Sequence, residues 1–314
     1  GQYAASDLAA PLATWEEPLT ASAFGVDMHT IGPNSQGYLT LAGAIAAEPH
    51  ALGDPDDERW AHLLIEAAKI AGYDRPDVLH EHADGHALLD AVRARRDRLD
   101  PERASTHRAP SSPGDTTYLC TAEVDGLAVS LIQSNAAGFG SLLAEPNTGI
   151  NLHNRGLGFS LVAGHPAELA PGRRPPHTLL PAMAHRDGRL CAVFGTMGGD
   201  AQPIVVAQLA ARLFAGERPA TVGDALAAPR IALRAGAGGS GFDTWAAGPP
   251  TVMVEGGAPD GWVDDLRRRG HDVITTEPFS STFGHAAAIT IDPATRAFAA
   301  SGDPRAVVGS AAAL

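Results

Sequence analysis

The sequence predicts an α+β fold, in which a mostly helical front third precedes a longer part that mixes antiparallel strands with helices. Apolar residues recur with helical spacing before residue 100, and they alternate with polar residues after residue 116. The turn signal Asp125-Gly126 joins two of the alternating runs into a hairpin. Because 44% of the 314 residues are hydrophobic and 19% are charged, the chain can bury a substantial core.

The front third is predicted to contain one strand among four helices. In chain order these are a short helix before Trp15, a strand at 24–31, and helices at 38–47, 59–72 and 84–98. The strand ends because the run from Gly32 to Gly37 supplies turn residues. In the last helix we expect an apolar face (Leu88, Leu89 and Val92) opposite a basic face (Arg93, Arg95 and Arg96).

The composition changes after these helices. Residues 101–115 are rich in Ser, Pro, Thr and Arg, and they predict an exposed linker of the kind in which a chain is cut. The strand at 190–196 runs through Met197-Gly198-Gly199-Asp200 into a helix at 204–214. The other strands of this part are predicted at 117–123, 127–134, 286–291 and 296–300.

Charge and composition disfavour several classes of protein. The net charge is −13, whereas nucleic-acid-binding proteins are more often basic, so we expect no nucleic-acid partner. The sequence contains no run of eighteen apolar residues and shows no signal peptide, so we expect no membrane partner and a cytoplasmic location. Cys120 and Cys191 lie in apolar, strand-like runs, and we expect buried thiols rather than a disulfide framework or a zinc site.

Thr116 stands at the junction between the linker and the first strand of the second part. A threonine hydroxyl is a poor nucleophile unless a neighbouring group takes its proton. A break between Asp115 and Thr116 would give Thr116 a free α-amine with a pKa of about 8, so that one residue would supply both nucleophile and base. The alternative is a purely structural threonine, since Thr is a common strand residue.

Ordered motifs run along nearly the whole chain. They are Ser6-Asp7-Leu8, Trp15-Glu16-Glu17-Pro18-Leu19, Pro33-Asn34-Ser35-Gln36-Gly37, Thr116-Thr117-Tyr118, Gln133-Ser134-Asn135, Gly138-Phe139-Gly140-Ser141, Asn154-Arg155-Gly156, Gly195-Thr196-Met197-Gly198-Gly199-Asp200, Ala228-Pro229-Arg230 and Ser301-Gly302-Asp303-Pro304-Arg305. In this order they resemble the γ-glutamyltransferase family of N-terminal-nucleophile (Ntn) hydrolases. The pattern Gln-Ser-Asn followed by Asn-Arg-Gly resembles the acylase-like branch of that family.

The resemblance implies the four-layer αββα sandwich of the Ntn hydrolases and self-cleavage of a single precursor at Asp115–Thr116. Residues 1–115 would then be the closing, mostly helical part of the large subunit, and residues 116–314 would be the small catalytic subunit. The remaining large-subunit segment of the same precursor would be a partner of this chain, and in the family it supplies an arginine that holds the substrate carboxylate. We expect no cofactor and no metal.

The resemblance also assigns roles beside the nucleophile Thr116. The backbone N–H groups of Gly198 and Gly199 would form the oxyanion hole, where glycine lets the backbone approach the substrate closely. The hydroxyl of Ser134 would bond to the amine of the nucleophile, and Asn135 would face the site. The alternatives are an ordinary strand-to-helix turn at the two glycines and a polar strand end at Ser134.

Several positions depart from the pattern with which the family binds a glutamyl group. Gly158 stands where the family has an aspartate that binds the α-amine, Arg155 replaces the preceding glutamine, and Ala136 replaces an asparagine. His177 and Thr178 replace the serine pair that grips the α-carboxylate. A buried ammonium without its carboxylate is costly, so we expect a substrate other than glutathione. Arg155 would suit a carboxylate, and a structural arginine is the alternative.

The predicted function is therefore an Ntn amidohydrolase or acyltransferase that cleaves an amide of a small, non-glutathione substrate. Two alternatives stay open: a relative in antibiotic biosynthesis that cleaves a C–C bond with the same residues, and a catalytically silent homologue. A metal site is disfavoured because the spacing of the polar cluster does not fit a helical HExxH site. The cluster consists of His80, Glu81, His82, Asp84 and His86.

Overall fold

A computed structural model of the chain describes residues 9, 12–108, 116–234 and 249–313. The strands in these ranges are β1 (Leu19–Ala23), β2 (Val26–Thr30), β3 (Thr117–Ala122), β4 (Ala128–Gln133), β5 (Ala182–Arg186), β6 (Arg189–Thr196), β7 (Ile231–Arg234), β8 (Thr251–Val254), β9 (Val273–Thr275), β10 (Ala286–Ile291) and β11 (Phe298–Gly302). The α-helices are α1 (Tyr38–Ala47), α2 (Glu58–Gly72), α3 (Arg75–Val78), α4 (Gly85–Arg95), α5 (Gln202–Phe214), α6 (Val222–Ala227) and α7 (Asp260–Arg268).

A six-stranded antiparallel sheet with the strand order β1-β2-β5-β6-β10-β11 forms the centre of the structure. Strands β1 and β2 precede residue 116, and the other four strands follow it. The two parts of the chain that the resemblance separates therefore share one continuous hydrogen-bonded sheet. A smaller sheet, β7-β8-β9, lies against the helices α2 and α5.

Helices cover one face of the six-stranded sheet. Helix α1 is buried along its whole length, as expected for a helix that is apolar all round and packs between other elements. It contacts β1, α2, α4 and α5. The indole of Trp60 on α2 stacks on that of Trp262 on α7, with 5.5 Å between the ring centroids, and this contact joins α7 to the helical layer.

The hairpin β3–β4 lies on the other face of the sheet, against β6 and β10. The ring of Tyr118 on β3 packs directly over Gly195 on β6, where any Cβ atom would collide with it. The outward side chains of the hairpin, including Leu119 and Leu131, are exposed. The described residues thus supply a helical layer and two sheet layers of an α+β fold.

Most of the predicted elements are confirmed, including α1, α2, α4, α5 and the hairpin at Asp125-Gly126. The strand predicted at 24–31 is confirmed as β2 (Val26–Thr30), but its first two residues, Phe24-Gly25, form the turn of a hairpin with β1, a strand that was not predicted. Both turn residues have positive φ angles, 55° at Phe24 and 71° at Gly25, as the twist of a tight hairpin requires. The short helix predicted before Trp15 is absent from residues 12–18, and the rest of it lies outside the described residues.

Arg95 does not lie on an exposed basic face of α4. Its guanidinium is buried and donates hydrogen bonds to the carbonyl of Ile70 (2.9 Å) and to the carboxylate of Asp74. The buried ion pair with Asp74 ties α4 to the end of α2. Both cysteines are free thiols; Cys191 is buried as predicted, whereas Cys120 is half-buried. In the described part of the chain, every helix is too short or too polar to cross a bilayer.

Candidate active site

Thr116 and Ser134 lie opposite each other at the open end of the β3–β4 hairpin. The hairpin register pairs Thr117 with Gln133, so one further step along the two strands brings Thr116 opposite Ser134. Both residues, together with Asn135 and Met197, line one cavity of about 390 Å³. Thr116 is half-buried, while Asp115, and with it the predicted cleavage bond, lies outside the described residues.

The glycine pair follows Met197 at the end of β6, next to this cavity. Gly198 and Gly199 have φ angles of 139° and 58°, a conformation that residues with a side chain rarely adopt. Within the described ranges, no hydrogen bond is donated by the N–H of either glycine, although both residues are buried. Buried backbone donors are nearly always paired, so two successive unpaired N–H groups indicate a site for an anionic acceptor.

A second cavity of about 230 Å³ contains the other residues predicted to bind substrate, namely Arg155, His177 and Thr178. Arg155 connects the two cavities, because its Nη2 donates a hydrogen bond of 3.4 Å to the carbonyl of Ser134. Burial lowers the pKa of the Arg155 guanidinium. In the described ranges, Arg155 forms no ion pair with a carboxylate. Its charge therefore faces the cavity available for an anion.

The imidazole of His177 is half-buried and neutral. Burial first, and the nearby Arg155 guanidinium second, lower its pKa to about 3. Its Nδ1 accepts a hydrogen bond from the backbone N–H of Leu179 (3.2 Å), so Nε2 carries the proton. The backbone of His177 pairs with the segment from Asn34 to Gln36 through hydrogen bonds of 3.0 and 2.8 Å. This segment precedes Thr116, as does Arg75 in the cavity lining, so residues from before and after Thr116 build this region together.

The second cavity leaves no room for a side chain at Gly158, the position at which the resemblance places an aspartate of the family. A Cβ atom at Gly158 would collide with the carbonyl oxygen of Pro176, so no acidic side chain fits without a shift of the backbone. Asp200 does line the cavity, but its Oδ1 lies 3.6 Å from Nη2 of Arg75. The sequence did not single out Arg75, because this residue lies in the short helix α3, far along the chain from the other lining residues.

The polar cluster around residue 81 makes ordinary protein contacts. Glu81 accepts hydrogen bonds from the side chain of Arg173 (2.8 Å) and from the backbone N–H of Arg174 (2.8 Å). These bonds attach the loop before α4 to the segment that leads into His177.

A different group of three residues, His62, Glu66 and His271, lies close enough together to hold a metal ion. Each of the three already has a partner within the protein. His62 Nε2 lies 2.9 Å from the carbonyl oxygen of Asp100 and must donate to it, so His62 Nδ1 accepts from His271 Nε2 at 2.9 Å. Glu66 is paired with the buried ammonium of Lys69 at 2.8 Å. A dication would have to displace these contacts beside a buried positive charge.

Comparisons with known proteins agree with the geometry. The profile of the family described as gamma-glutamyltranspeptidase matches residues 1–313. The chain is 35% identical over 294 residues to the oxamate amidohydrolase proenzyme of Klebsiella pneumoniae, covering 91% of this chain and 54% of that protein. Over the same length and coverage it is 31% identical to the glutathione hydrolase-like YwrD proenzyme of Bacillus subtilis.

The structure superposes on a cephalosporin acylase from Bacillus halodurans with a TM-score of 0.82 and 32% identity, covering 96% of this chain and 53% of that one. The predicted Ntn-hydrolase fold is thereby confirmed. The chain spans about half the length of the curated relatives it matches, since 54% of each is covered. By its sequence match over nearly all residues, this chain belongs to the γ-glutamyltranspeptidase family.

Proposed function

We propose that this chain carries the catalytic centre of an autoprocessed amidohydrolase in which Thr116 is the nucleophile, freed by cleavage after Asp115. One observation carries the proposal: the hairpin register brings Thr116 and Ser134 to one cavity that also contains Met197, next to the glycine pair whose N–H groups donate to no described residue. Residues 1–115 would form the end of the large subunit, and residues 116–314 the small subunit. The two would stay joined through the shared central sheet.

The reaction follows from these positions. The Thr116 hydroxyl attacks the amide carbon while its own α-amine accepts the hydroxyl proton, and the N–H groups of Gly198 and Gly199 stabilise the oxyanion. The C–N bond then breaks, and the leaving amine takes the proton from the α-ammonium. Water, deprotonated by the same α-amine, attacks the ester carbon; the bond to the Thr116 oxygen breaks, this oxygen takes the proton back from the α-ammonium, and the carboxylic acid is released. In this scheme Ser134 orients the α-amine, and Asn135 contacts the substrate.

We propose that the substrate is a small amide whose acyl group carries a carboxylate close to the scissile bond. Arg155 provides a positive charge that pairs with no carboxylate of the described residues, and it lies against Ser134, beside the proposed nucleophile. Thr178 adds a hydroxyl donor, and the Nε2–H of neutral His177 is a further donor. No carboxylate fits at Gly158 to receive the ammonium of a glutamyl group. The relative with 35% identity is named for oxamate, which has this arrangement of carboxylate and amide.

The remaining large-subunit segment of the precursor is the proposed partner that covers the outer face of the small subunit. Large apolar side chains are exposed on the β3–β4 hairpin and along residues 139–162; they are Leu119, Val129, Leu131, Phe139, Leu142, Leu143, Ile150, Leu161 and Val162. Many exposed large apolar side chains in one part of a chain often mark a contact with another part of a protein. A fluorescent hydrophobic dye should therefore bind this chain alone more strongly than it binds the complete precursor.

The test combines N-terminal sequencing with product analysis on the purified protein supplied with oxamate. The proposal predicts a fragment beginning Thr116-Thr117-Tyr118 and the release of ammonia and oxalate in equal amounts. Thr116→Ala should abolish both processing and turnover, whereas Thr116→Ser should retain part of each because it keeps a hydroxyl nucleophile. Turnover by Thr116→Ala would rule out the proposed nucleophile. Cleavage of a C–C bond in a panel of small keto acids, with amides left intact, would favour the biosynthetic alternative.

A further inference from the structure

The turn Met197-Gly198-Gly199 carries the two proposed oxyanion donors, and hydrogen bonds to its carbonyl groups fix its conformation. The carbonyl of Met197 accepts from the hydroxyl of Thr196 (2.7 Å) and that of Gly198 from the N–H of Ala201 (3.1 Å). The carbonyl of Gly199 accepts from Nε2 of Gln36 at 3.2 Å. Because C=O and N–H point in opposite directions in a trans peptide, each of these bonds also fixes the direction of the next residue's N–H.

Only one of the two proposed oxyanion donors depends on a side chain for this orientation. The N–H of Gly199 is fixed by a backbone bond at the start of the helical segment that leads into α5. The N–H of Gly198 belongs to the Met197–Gly198 peptide, and the hydroxyl of Thr196 is the group that holds the carbonyl of this peptide. Thr196 is fully buried, so water does not compete for that carbonyl.

The other side of the same peptide is confined by Gly284. A Cβ atom at Gly284 would lie 2.6 Å from the Thr196 hydroxyl oxygen, and it would also collide with the carbonyl oxygen of Met197. The backbone N–H of Met197 donates to the carbonyl of His285 at 3.1 Å. The loop that carries Gly284 is itself fixed, because Arg230 donates to the carbonyls of Phe283 (3.1 Å) and Gly284 (3.0 Å).

We propose that Thr196 is a positioning residue for catalysis: its hydroxyl keeps the Met197–Gly198 peptide in the orientation that presents the Gly198 N–H to the oxyanion. This inference rests on the proposed function of Gly198 and Gly199. Without the hydroxyl, the Met197 carbonyl is left buried and unpaired, and rotation of the peptide toward the cavity offers it other partners. Rotation turns the N–H of Gly198 away and places a carbonyl oxygen where the oxyanion forms.

The test compares two variants. Thr196→Val keeps the shape of the side chain and removes the hydroxyl, whereas Thr196→Ser keeps a hydroxyl. Thr290→Val on the neighbouring strand β10 is the control for the loss of a strand threonine hydroxyl; Thr290 is half-buried, and its hydroxyl donates no hydrogen bond to a described residue. Each purified variant is assayed for ammonia release from oxamate, and its crystal structure is determined. A melting curve for each variant excludes a loss of folded protein as the cause of any difference.

Thr196→Val should lower kcat about tenfold or more, since the loss of one oxyanion donor typically costs about a hundredfold, while KM stays within about twofold. Its crystal structure should show the Met197–Gly198 peptide rotated. Thr196→Ser and Thr290→Val should retain the wild-type kcat within about threefold, and the Met197–Gly198 peptide should keep its wild-type orientation in both. If the crystal structure of Thr196→Val shows the Met197–Gly198 peptide in its wild-type orientation, the proposal is overturned whatever the kinetics show. A rotated peptide together with an unchanged kcat would overturn it as well. If the wild type does not hydrolyse oxamate, the proposed substrate class fails, and the peptide orientation still decides the role of Thr196.

Discussion

Arg155 donates a hydrogen bond from Nη2 to the main-chain carbonyl of Ser134, and this contact connects the cavity of Thr116 with the cavity of His177. The guanidinium can therefore hold one end of a substrate whose other end reaches the nucleophile. Because Arg155 contacts Ser134, which lies opposite Thr116, the proposed function favours a compact acyl group. Under the proposed function, the same contact would account together for the three departures expected from the resemblance, at Gly158, Arg155 and His177.

Arg155 should determine the charge of the acyl group. Arg155→Met should raise KM for oxamate by about ten- to a hundredfold, because a charge-assisted hydrogen bond to a carboxylate is worth about 1.5–3 kcal/mol. Hydrolysis of a neutral amide of similar size should be little affected. Steady-state kinetics with both amides measures the difference. Arg93→Met on the exposed face of α4 is the control, and an equal loss with both amides would show that Arg155 is structural.

Gly158→Asp should not convert the protein into a glutathione hydrolase. Any side chain at this position meets the carbonyl of Pro176, and overpacking of this kind costs about 1–3 kcal/mol of the free energy of unfolding. Gly158→Ala should therefore destabilise the protein as well. Gly156→Ala is the matched control, since a Cβ atom there meets no atom within 4 Å.

Chemical denaturation of these three variants gives the stability change, and γ-glutamyl-p-nitroanilide reports the activity. If Gly158→Asp gained γ-glutamyl hydrolysis at wild-type stability, the close approach of the Pro176 carbonyl would not be what excludes an acidic residue.

Local sequence signals predicted the parts of this site that lie on regular elements. Asp125-Gly126 fixed the hairpin that brings Thr116 to Ser134, and the strand at 190–196 ended at the glycine pair as expected. The turn at Phe24-Gly25 was missed because phenylalanine is a typical strand residue, and its positive φ angle is not visible in the sequence. No local signal indicates the contact between Arg155 and Ser134 or the position of Arg75, because both depend on how distant loops pack.

The free energy of unfolding should decrease as the pH falls, because buried histidines are neutral in the folded protein and take up protons when it unfolds. Burial lowers the pKa of His271 to about 3, whereas an unfolded histidine titrates at about 6.5. Between these two values the unfolded state binds the proton and the folded state does not. The stability contributed by this neutral histidine is therefore complete above pH 6.5 and declines as the pH falls toward 3, by up to about 1.4 kcal/mol per pH unit.

His271→Gln should reduce this slope, since glutamine does not titrate and still offers a donor to His62. Denaturant unfolding at pH 7.5, 6.0 and 5.0 measures the difference between variant and wild type. His82→Gln, at a side chain that is 76% exposed, should leave the slope unchanged. An identical pH dependence in wild type and His271→Gln would contradict a neutral buried His271.

The contact between Tyr118 and Gly195 should set the distance between the nucleophile strand and the central sheet. Gly195→Ala places a methyl group against the Tyr118 ring, which must move β3, the strand that begins next to Thr116. We expect the free energy of unfolding to fall by about 1–3 kcal/mol. We also expect kcat to decrease by a larger factor than KM increases. Tyr118→Leu should partly restore both properties in the Gly195→Ala background, because the ring atoms that collide are removed.

Gly223→Ala in helix α6 is the control; a Cβ atom there meets nothing closer than 3.9 Å, and alanine in a helix stabilises by up to about 1 kcal/mol. Wild-type activity in Gly195→Ala would show that the position of β3 does not depend on this contact.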